Sequence, residues 1–192
     1  MRELARLVEE PRACSYLPGE IASLEYRIVQ DLRPAEYERL LERGYRRFGA
    51  QLFRPECPIC RQCVSVRVLA ERFDWTAGFR RVLRRNAGIA VELSRPSASD
   101  EHIDLYHRYH DMMARTRGWR RERISRVEYI ESFVAAGGNF AWQWSYRDRG
   151  ELVGLAFMDE TPNAISLVYS FHAPEWRPAG PGTFSFLVQL GY

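Results

Sequence analysis

Three of the four cysteines in this chain fall within seven residues, Cys57-Pro58-Ile59-Cys60-Arg61-Gln62-Cys63, and the fourth, Cys14, lies far upstream. Cys-x-x-Cys spacing lets neighbouring thiolates converge on one metal, because a tight turn carries both sulfurs to the same side. Three thiolates leave a tetrahedral site one ligand short, and Cys14 is the cysteine left to close it. All-thiolate ligation suits structural zinc or an iron–sulfur cluster. Such a metal would tie the segment around Cys14 to the turn around Cys60 and stabilise a small first domain. Four reduced, partly buried thiols are the competing reading.

The second set of chemically capable residues is cationic. The chain has 28 basic residues, all arginine, against 25 acidic ones, for a net charge of +3. Arginine grips phosphates and carboxylates with a two-pronged planar fork, although a GC-rich genome produces the same bias. Arg80, Arg81, Arg84 and Arg85 fall at helical spacing beside Trp75 and Phe79. Further on, Arg115, Arg117, Arg120, Arg121 and Arg123 surround Trp119. That pattern fits an RNA backbone with a base stacked on Trp119, and a solvated face is the bland alternative.

A third feature is Arg177-Pro178-Ala179-Gly180-Pro181-Gly182, an Arg-x-x-Gly-x-Gly turn opening a helix. Backbone amides at such a turn can cradle phosphates, but Pro181 removes one donor. His102, His107 and His110 share a predicted helix and lack an in-step acidic partner, so they read as packing or surface residues. Asp159 and Glu160 sit at a predicted strand end, where they could serve as a base or as turn residues.

The elements that position these residues follow from periodicity and punctuation. Leu24 to Asp31 alternates as a strand, and Pro34 opens a helix that Gly44 ends. Arg46 to Arg54 reads as extended, and Val64 to Val68 as another strand. Thr76 to Asn86 is a basic helix and Ile89 to Leu93 a strand. The polar run Ser94 to Ser99 marks a boundary between residues 1–95 and 96–192. Ser99 caps a long helix to about Arg117, and Ser125 starts the next, which ends before Gly137-Gly138. Strands over Phe140–Tyr146, Leu152–Met158 and Ala164–Phe171 follow, then a final helix from near Gly182. The predicted class is α+β: a small cysteine-containing α/β domain, then a domain whose order is compatible with a GNAT-type acyltransferase.

At 192 residues and 46% hydrophobic content, the chain is long enough for one large or two small folded domains. No apolar run follows Met1-Arg2-Glu3-Leu4 and no stretch approaches about 20 apolar residues. A cytoplasmic, non-membrane protein with reduced thiols is therefore expected.

Several stretches together resemble the tRNA–protein transferases. In the first half these are Cys14-Ser15-Tyr16-Leu17-Pro18, Glu36 to Leu41, Gly44 to Gly49, Phe53-Arg54-Pro55, the Cys57, Cys60, Cys63 cluster with Arg67-Val68, and Arg80-Arg81 with Arg84-Arg85-Asn86. In the second they are Arg117-Gly118-Trp119, Glu128-Tyr129, Glu131-Ser132-Phe133, Val168-Tyr169 and Gly180 to Phe184. The resemblance is greatest to the bacterial branch, the aspartate/glutamate leucyltransferases, and covers the chain from Cys14 onward.

That resemblance implies transfer of leucine from leucyl-tRNA to the α-amine of proteins beginning with Asp or Glu, a tag for N-end rule degradation. Partners would be leucyl-tRNA and those proteins, with neither DNA nor a membrane involved. It also implies that residues 1–95 bind the acceptor and residues 96–192 form a GNAT-like transfer domain. The family carries a further stretch beyond Gln189-Leu190-Gly191-Tyr192, so the second domain is expected to lack its C-terminal end. Eukaryotic relatives transfer arginine and hold a metal or cluster with cysteines that include a Cys-x-x-Cys pair. Here Leu17 replaces the second member of that pair, so the implied ligand set is Cys14, Cys57, Cys60 and Cys63.

No cofactor is required for the reaction itself, because an aminoacyl ester is already activated. An α-amine with pKa about 7.7–8.0 costs only about 1 kcal/mol to deprotonate at neutral pH. Reading Asp or Glu does require a cation, for which Arg80 and Arg81 come first, then Arg46 and Arg47, with Tyr16 beside them. Arg84, Arg85, Arg117, Trp119 and Arg120 are the expected tRNA contacts. Two rivals stand beside this reading: a CoA-dependent GNAT-type N-acetyltransferase, and an inactive module that binds protein N-termini.

Overall fold

The computed structural model describes residues 1–192, the side chain of Ala136 excepted. The chain opens with β1 (Arg2–Val8), a short hairpin of β2 (Arg12–Ala13) and β3 (Ile21–Ala22), and then β4 (Leu24–Gln30). Helix α1 (Pro34–Glu42) follows, with Pro34 in its first turn, where a missing N–H costs nothing. Glu36 accepts from the Arg33 amide at 3.1 Å and from the Met1 ammonium at 2.9 Å, fixing the helix start to the chain start. The strands β5 (Arg46–Phe48) and β6 (Gln51–Pro55) form a tight hairpin through Gly49, whose φ of +57° suits glycine. These strands make a four-stranded antiparallel sheet in the order β1-β4-β6-β5.

The expected strand over Val64 to Val68 is not formed; residues 61–69 are exposed and irregular. Alternation gave this segment an apolar face, with Val64 77% and Val66 82% exposed, but among the described residues no neighbouring strand pairs with it.

Helix α2 (Ala77–Arg85) is capped by Thr76, whose hydroxyl accepts from the Phe79 amide. Strand β7 (Ile89–Ser94) then pairs with β8 (Ala141–Asp148), so residues before 95 supply a strand to the second sheet. Helix α3 (Asp100–Arg117) is capped by Ser99 and stops at Gly118, which is left-handed at φ +69°. Helix α4 (Arg126–Tyr129) starts from a Ser125–Glu128 capping box and runs on through a π-turn over Ile130–Val134. The strands β9 (Glu151–Glu160) and β10 (Ile165–His172) complete a meander in the order β10-β9-β8-β7. Helix α5 (Pro181–Leu190) closes the chain. The result is mixed α and β with antiparallel sheets.

The two sheets are joined by buried contacts. Phe140, immediately before β8, packs into the core formed by Val29, Tyr37, Leu40, Tyr45 and Leu52. Arg47 on β5 makes a two-pronged pair with Asp159 on β9, Nε to Oδ2 at 2.8 Å and Nη2 to Oδ1 at 2.6 Å. Both side chains are buried, at 5% and 0% exposure. Helix α2 adds Val82 and Leu83 to the core around Trp144, Trp176 and Phe184.

Candidate functional site at the junction of the two sheets

Side chains alternate across a strand, so Arg46 and Phe48 point one way and Arg47 the other. On the Arg46 side, β6 presents Gln51 and Phe53, and β4 presents Leu24 and Tyr26. Opposite them lies β10, with Ser166, Leu167, Val168 and Tyr169. Together they line a cleft of about 460 Å³. Its walls are aromatic: Tyr26 lies 6.2 Å from Phe53, and Phe48 meets Phe133 at 5.3 Å and Tyr169 at 5.9 Å, both edge-on. The register of β10 slips between Leu167 and Tyr169, a bulge that re-aims the strand at the cleft.

One cation in this cleft remains available. Arg47 spends its guanidinium on Asp159 and on the Gly49 carbonyl at 2.8 Å. Arg46, half-buried, donates Nη1 to the Tyr45 carbonyl at 2.9 Å, and among the described residues no carboxylate pairs with it. Its remaining N–H groups can take an incoming carboxylate, in a setting where apolar walls strengthen the charge-assisted bond.

On the far face of the same sheet, Glu25 is buried beneath three donors: Tyr45 Oη at 2.8 Å, Arg6 Nε at 2.6 Å and Arg54 Nε at 2.9 Å. Burial alone would raise its carboxyl, but the Tyr45 hydroxyl and the two arginines outweigh that and hold it below the usual 4.5. This network stiffens β4, whose opposite face forms the cleft floor.

A larger cavity of about 850 Å³ lies elsewhere, between α2, α3 and the turn before α5. Five carboxylates, Glu101, Asp104, Asp148, Glu151 and Glu175, line it against two arginines, Arg85 and Arg108. Arg108 is already paired with Glu175 at 2.7 Å. Such a lining repels acidic peptides and phosphates, so the smaller cleft is the better site.

The cysteines do not assemble. Among the described residues no group of three or more His, Cys, Asp or Glu could hold a metal ion. All four cysteines are free, and their nearest polar contacts are local: Cys57 Sγ lies 3.8 Å from the Ser23 carbonyl, and Cys14 Sγ accepts from the Tyr16 amide at 3.4 Å. Cys14 is held at the base of the β2–β3 hairpin by its own amide bond to Glu20, while Cys63 sits on exposed irregular chain. The expected ligand set of Cys14, Cys57, Cys60 and Cys63 therefore does not fit zinc or an iron–sulfur cluster in this arrangement, although thiolate chemistry would suit either.

The remaining expected site residues are scattered. Tyr16 is 82% exposed on the β2–β3 loop. Arg80, Arg81, Arg84 and Arg85 are all exposed on α2, which packs on α5. Arg80 donates to the Trp75 carbonyl, and Arg85 to that of Pro178 at 3.1 Å. Arg117, Trp119 and Arg120 are exposed at and beyond the C-terminus of α3, with Trp119 6.3 Å from Tyr109. Arg121 and Arg123 clamp Asp111 at 2.7 and 2.9 Å.

The histidines are packing residues in part only: His102 and His110 are buried, and His107 Nε2 faces the Ile124 backbone, where its tautomer decides whether it donates to the carbonyl at 3.0 Å or accepts from the amide at 3.2 Å. Asp159 is neither base nor turn residue but the buried partner of Arg47. Sequence reasoning assigned no chemical role to Tyr169. Its only signal was membership of the Val168-Tyr169 pair in a strand that lines the cleft.

Both parts of the chain resemble known proteins. The family model described as "Arginine-tRNA-protein transferase, N terminus" matches residues 12–81, and that described as "Arginine-tRNA-protein transferase, C terminus" matches residues 101–192. A protein of Helicobacter hepaticus named aspartate/glutamate leucyltransferase is 32% identical over 188 residues, 96% of this chain and 78% of that one. One of the same name from Pseudomonas putida is 36% identical over 196 residues, 99% of this chain and 81% of its own length. Among solved structures, that of L-PGS from Bacillus licheniformis is 16% identical with a TM-score of 0.46, covering 64% of this chain and 38% of that one. Among the described residues no helix is long and apolar enough to cross a membrane. With both halves matched, and with relatives above 30% identity covered over most of their length, the chain belongs to the arginine-tRNA-protein transferase family.

Proposed function

We propose that this chain moves leucine from leucyl-tRNA to the α-amine of proteins that begin with Asp or Glu, with the acceptor's first residue seated in the cleft between the sheets. Family membership supports the reaction, and the position of Arg46 carries the placement. It is the cleft's unpaired cation, set among Tyr26, Phe48 and Phe53 where a carboxylate side chain can reach it. Residues 1–95 supply this acceptor wall. Residues 96–192, with a GNAT-like arrangement, supply the wall where transfer occurs.

The exposed arginines of α2, with Arg117, Trp119 and Arg120 after α3, suit the tRNA, the arginines on phosphates and Trp119 under a base. Leucine addition would mark the acceptor for degradation in the cytoplasm. Chemically, little is asked of the protein. The ester is activated, the amine costs only about 1 kcal/mol to deprotonate at neutral pH, and holding the two in contact supplies most of the rate.

The reading is tested by incubating the protein with an Asp-starting peptide and either labelled leucyl-tRNA or labelled acetyl-CoA. Label is expected in the peptide from leucyl-tRNA alone, and a Lys-starting peptide is expected to stay unlabelled. Incorporation from acetyl-CoA instead would overturn it.

A further inference from the structure

His110 is a polar group that packing alone does not explain. It is 3% exposed, its ring lies stacked on Tyr106 at 4.0 Å, and Trp119 stands 6.0 Å away. Its Nε2 lies 3.1 Å from the Tyr169 hydroxyl, on a residue that lines the cleft. Its Nδ1 is buried without a hydrogen-bond partner. That orphan nitrogen is 3.8 Å from Glu122 Oε2, and the Glu122 side chain is 57% exposed. The three groups thus form a line from the cleft through the core to water. A buried polar nitrogen without a hydrogen-bond partner carries a desolvation cost that packing on Tyr106 does not offset.

The proposed reaction needs such a line. An acceptor arrives as R–NH3+. The N–C bond forms, the C–O bond of the aminoacyl ester breaks, and the tRNA hydroxyl leaves with one proton. The products are an amide, free tRNA and one further proton, which must leave a cleft walled by the acceptor and the donor.

We propose that Tyr169, His110 and Glu122 are the exit path for that proton. This rests on the leucyl-transfer reading above. Tyr169 is the catalytic member: its oxygen accepts the amine's proton while its own O–H proton passes to His110 Nε2. His110 positions the phenol and hands its Nδ1 proton to Glu122, which exchanges with water. The starting state is a neutral imidazole with hydrogen on Nδ1, the tautomer that lets Nε2 accept from Tyr169 and turns the orphan N–H toward Glu122.

Burial holds His110 below its ordinary 6.5, so the ring passes the proton on and does not store it. The charged and titratable groups around the ring are few. On α3 they are Tyr106, His107, Tyr109 and Asp111; beyond it Glu122; and on β10 Tyr169. Asp111 is already taken by Arg121 and Arg123, and Tyr106 donates to the same Glu122 oxygen at 3.4 Å. Glu122 is therefore the outlet that faces Nδ1.

The test is the rate of leucyl transfer to an Asp-starting peptide between pH 6 and pH 9, for the wild type, Tyr169→Phe, His110→Gln and Glu122→Gln. At pH 7, the first two variants are expected to lose at least about tenfold in kcat with the peptide KM within about twofold of wild type. The deficit should close toward pH 9, where the amine already arrives deprotonated. Glu122→Gln should lose less, since water can stand in at the exposed end. A folded Tyr169→Phe or His110→Gln with wild-type kcat, or with a loss that is uniform across pH, overturns the relay.

Should both variants fail to fold, the wild type decides: transfer at pH 7 with no solvent deuterium effect on kcat also overturns it. A wild type that transfers no leucine at all sinks the activity reading and the relay with it. A wild type that transfers leucine while the variants match it sinks the relay alone.

Discussion

Arg46 and Arg47 are neighbours in sequence, and the pleat of one strand sends them to opposite environments. Arg47 turns inward to a carboxylate 112 residues away and is consumed there. Arg46 turns to the cleft and keeps donors to spare. A charge-assisted hydrogen bond contributes about 1.5–3 kcal/mol, so Arg46→Ala should raise the KM for an Asp-starting peptide by about tenfold or more while leaving that for leucyl-tRNA nearly unchanged. Arg81→Ala, on exposed α2, should show the reverse order in the same assay; a larger effect on the peptide would move the carboxylate site to α2. Glu25 makes a separate, pH-dependent contribution. Its carboxyl titrates lower in the folded chain than unfolded, so its stabilisation is present above about 4.5 and is lost as pH falls through the folded value. Urea denaturation from pH 7 to pH 3 should show a shallower loss of stability in Glu25→Gln than in the wild type, from a lower starting point.

At the scale of elements, the β5–β6 turn shows how closely the halves approach. Gly49 sits at φ +57°, its amide donates to the Ser132 carbonyl at 3.1 Å, and a Cβ there would meet the Glu131 carbonyl oxygen at 2.9 Å. Gly49→Ala should therefore lower stability by about 1–3 kcal/mol in thermal or urea melts, and should loosen Arg46 on the adjacent strand. The helices were legible because their caps and stops are local: Pro34, Thr76, Ser99 and Ser125 start them, and Gly118 ends α3. The β8–β10 meander was legible as three successive strands before the final helix.

Strand β1 was not legible. Arg2 to Val8 is exposed along its length and is held by cross-strand pairs such as Arg6 with Glu25 and Arg27 with Glu3, which no local pattern announces. Val64 to Val68 failed in the opposite sense, with a pattern but no ladder. The cysteine spacing stated which sulfurs could meet, whereas the path of residues 57–69 determines which do. The cleft was half legible: its arginines were visible as cations, but which one stayed free depended on strand parity and on Asp159, and Tyr169 needed His110 from a distant helix.

At the scale of the whole molecule, the Arg47–Asp159 pair fastens one sheet to the other. Burying two charges is costly, and removing one partner strands the other, a loss of about 3–5 kcal/mol. Arg47→Leu alone should thus destabilise strongly, while Arg47→Leu with Asp159→Leu should recover much of the loss, as read from urea midpoints. A double variant no more stable than the single one would mean that the pair's neighbours, including Gly49 and Tyr37, set the cost.

The sharing of elements across the midpoint has a consequence for inheritance. Strand β7 precedes residue 95 yet belongs to the later sheet, and Phe140 follows it yet fills the earlier core. A chimaera that takes its first half from one relative and its second from another must inherit matched residues at 47 and 159, at 49 and 131, and along the β7–β8 seam. Recombination within this lineage is expected to succeed only between parents that already agree at those positions.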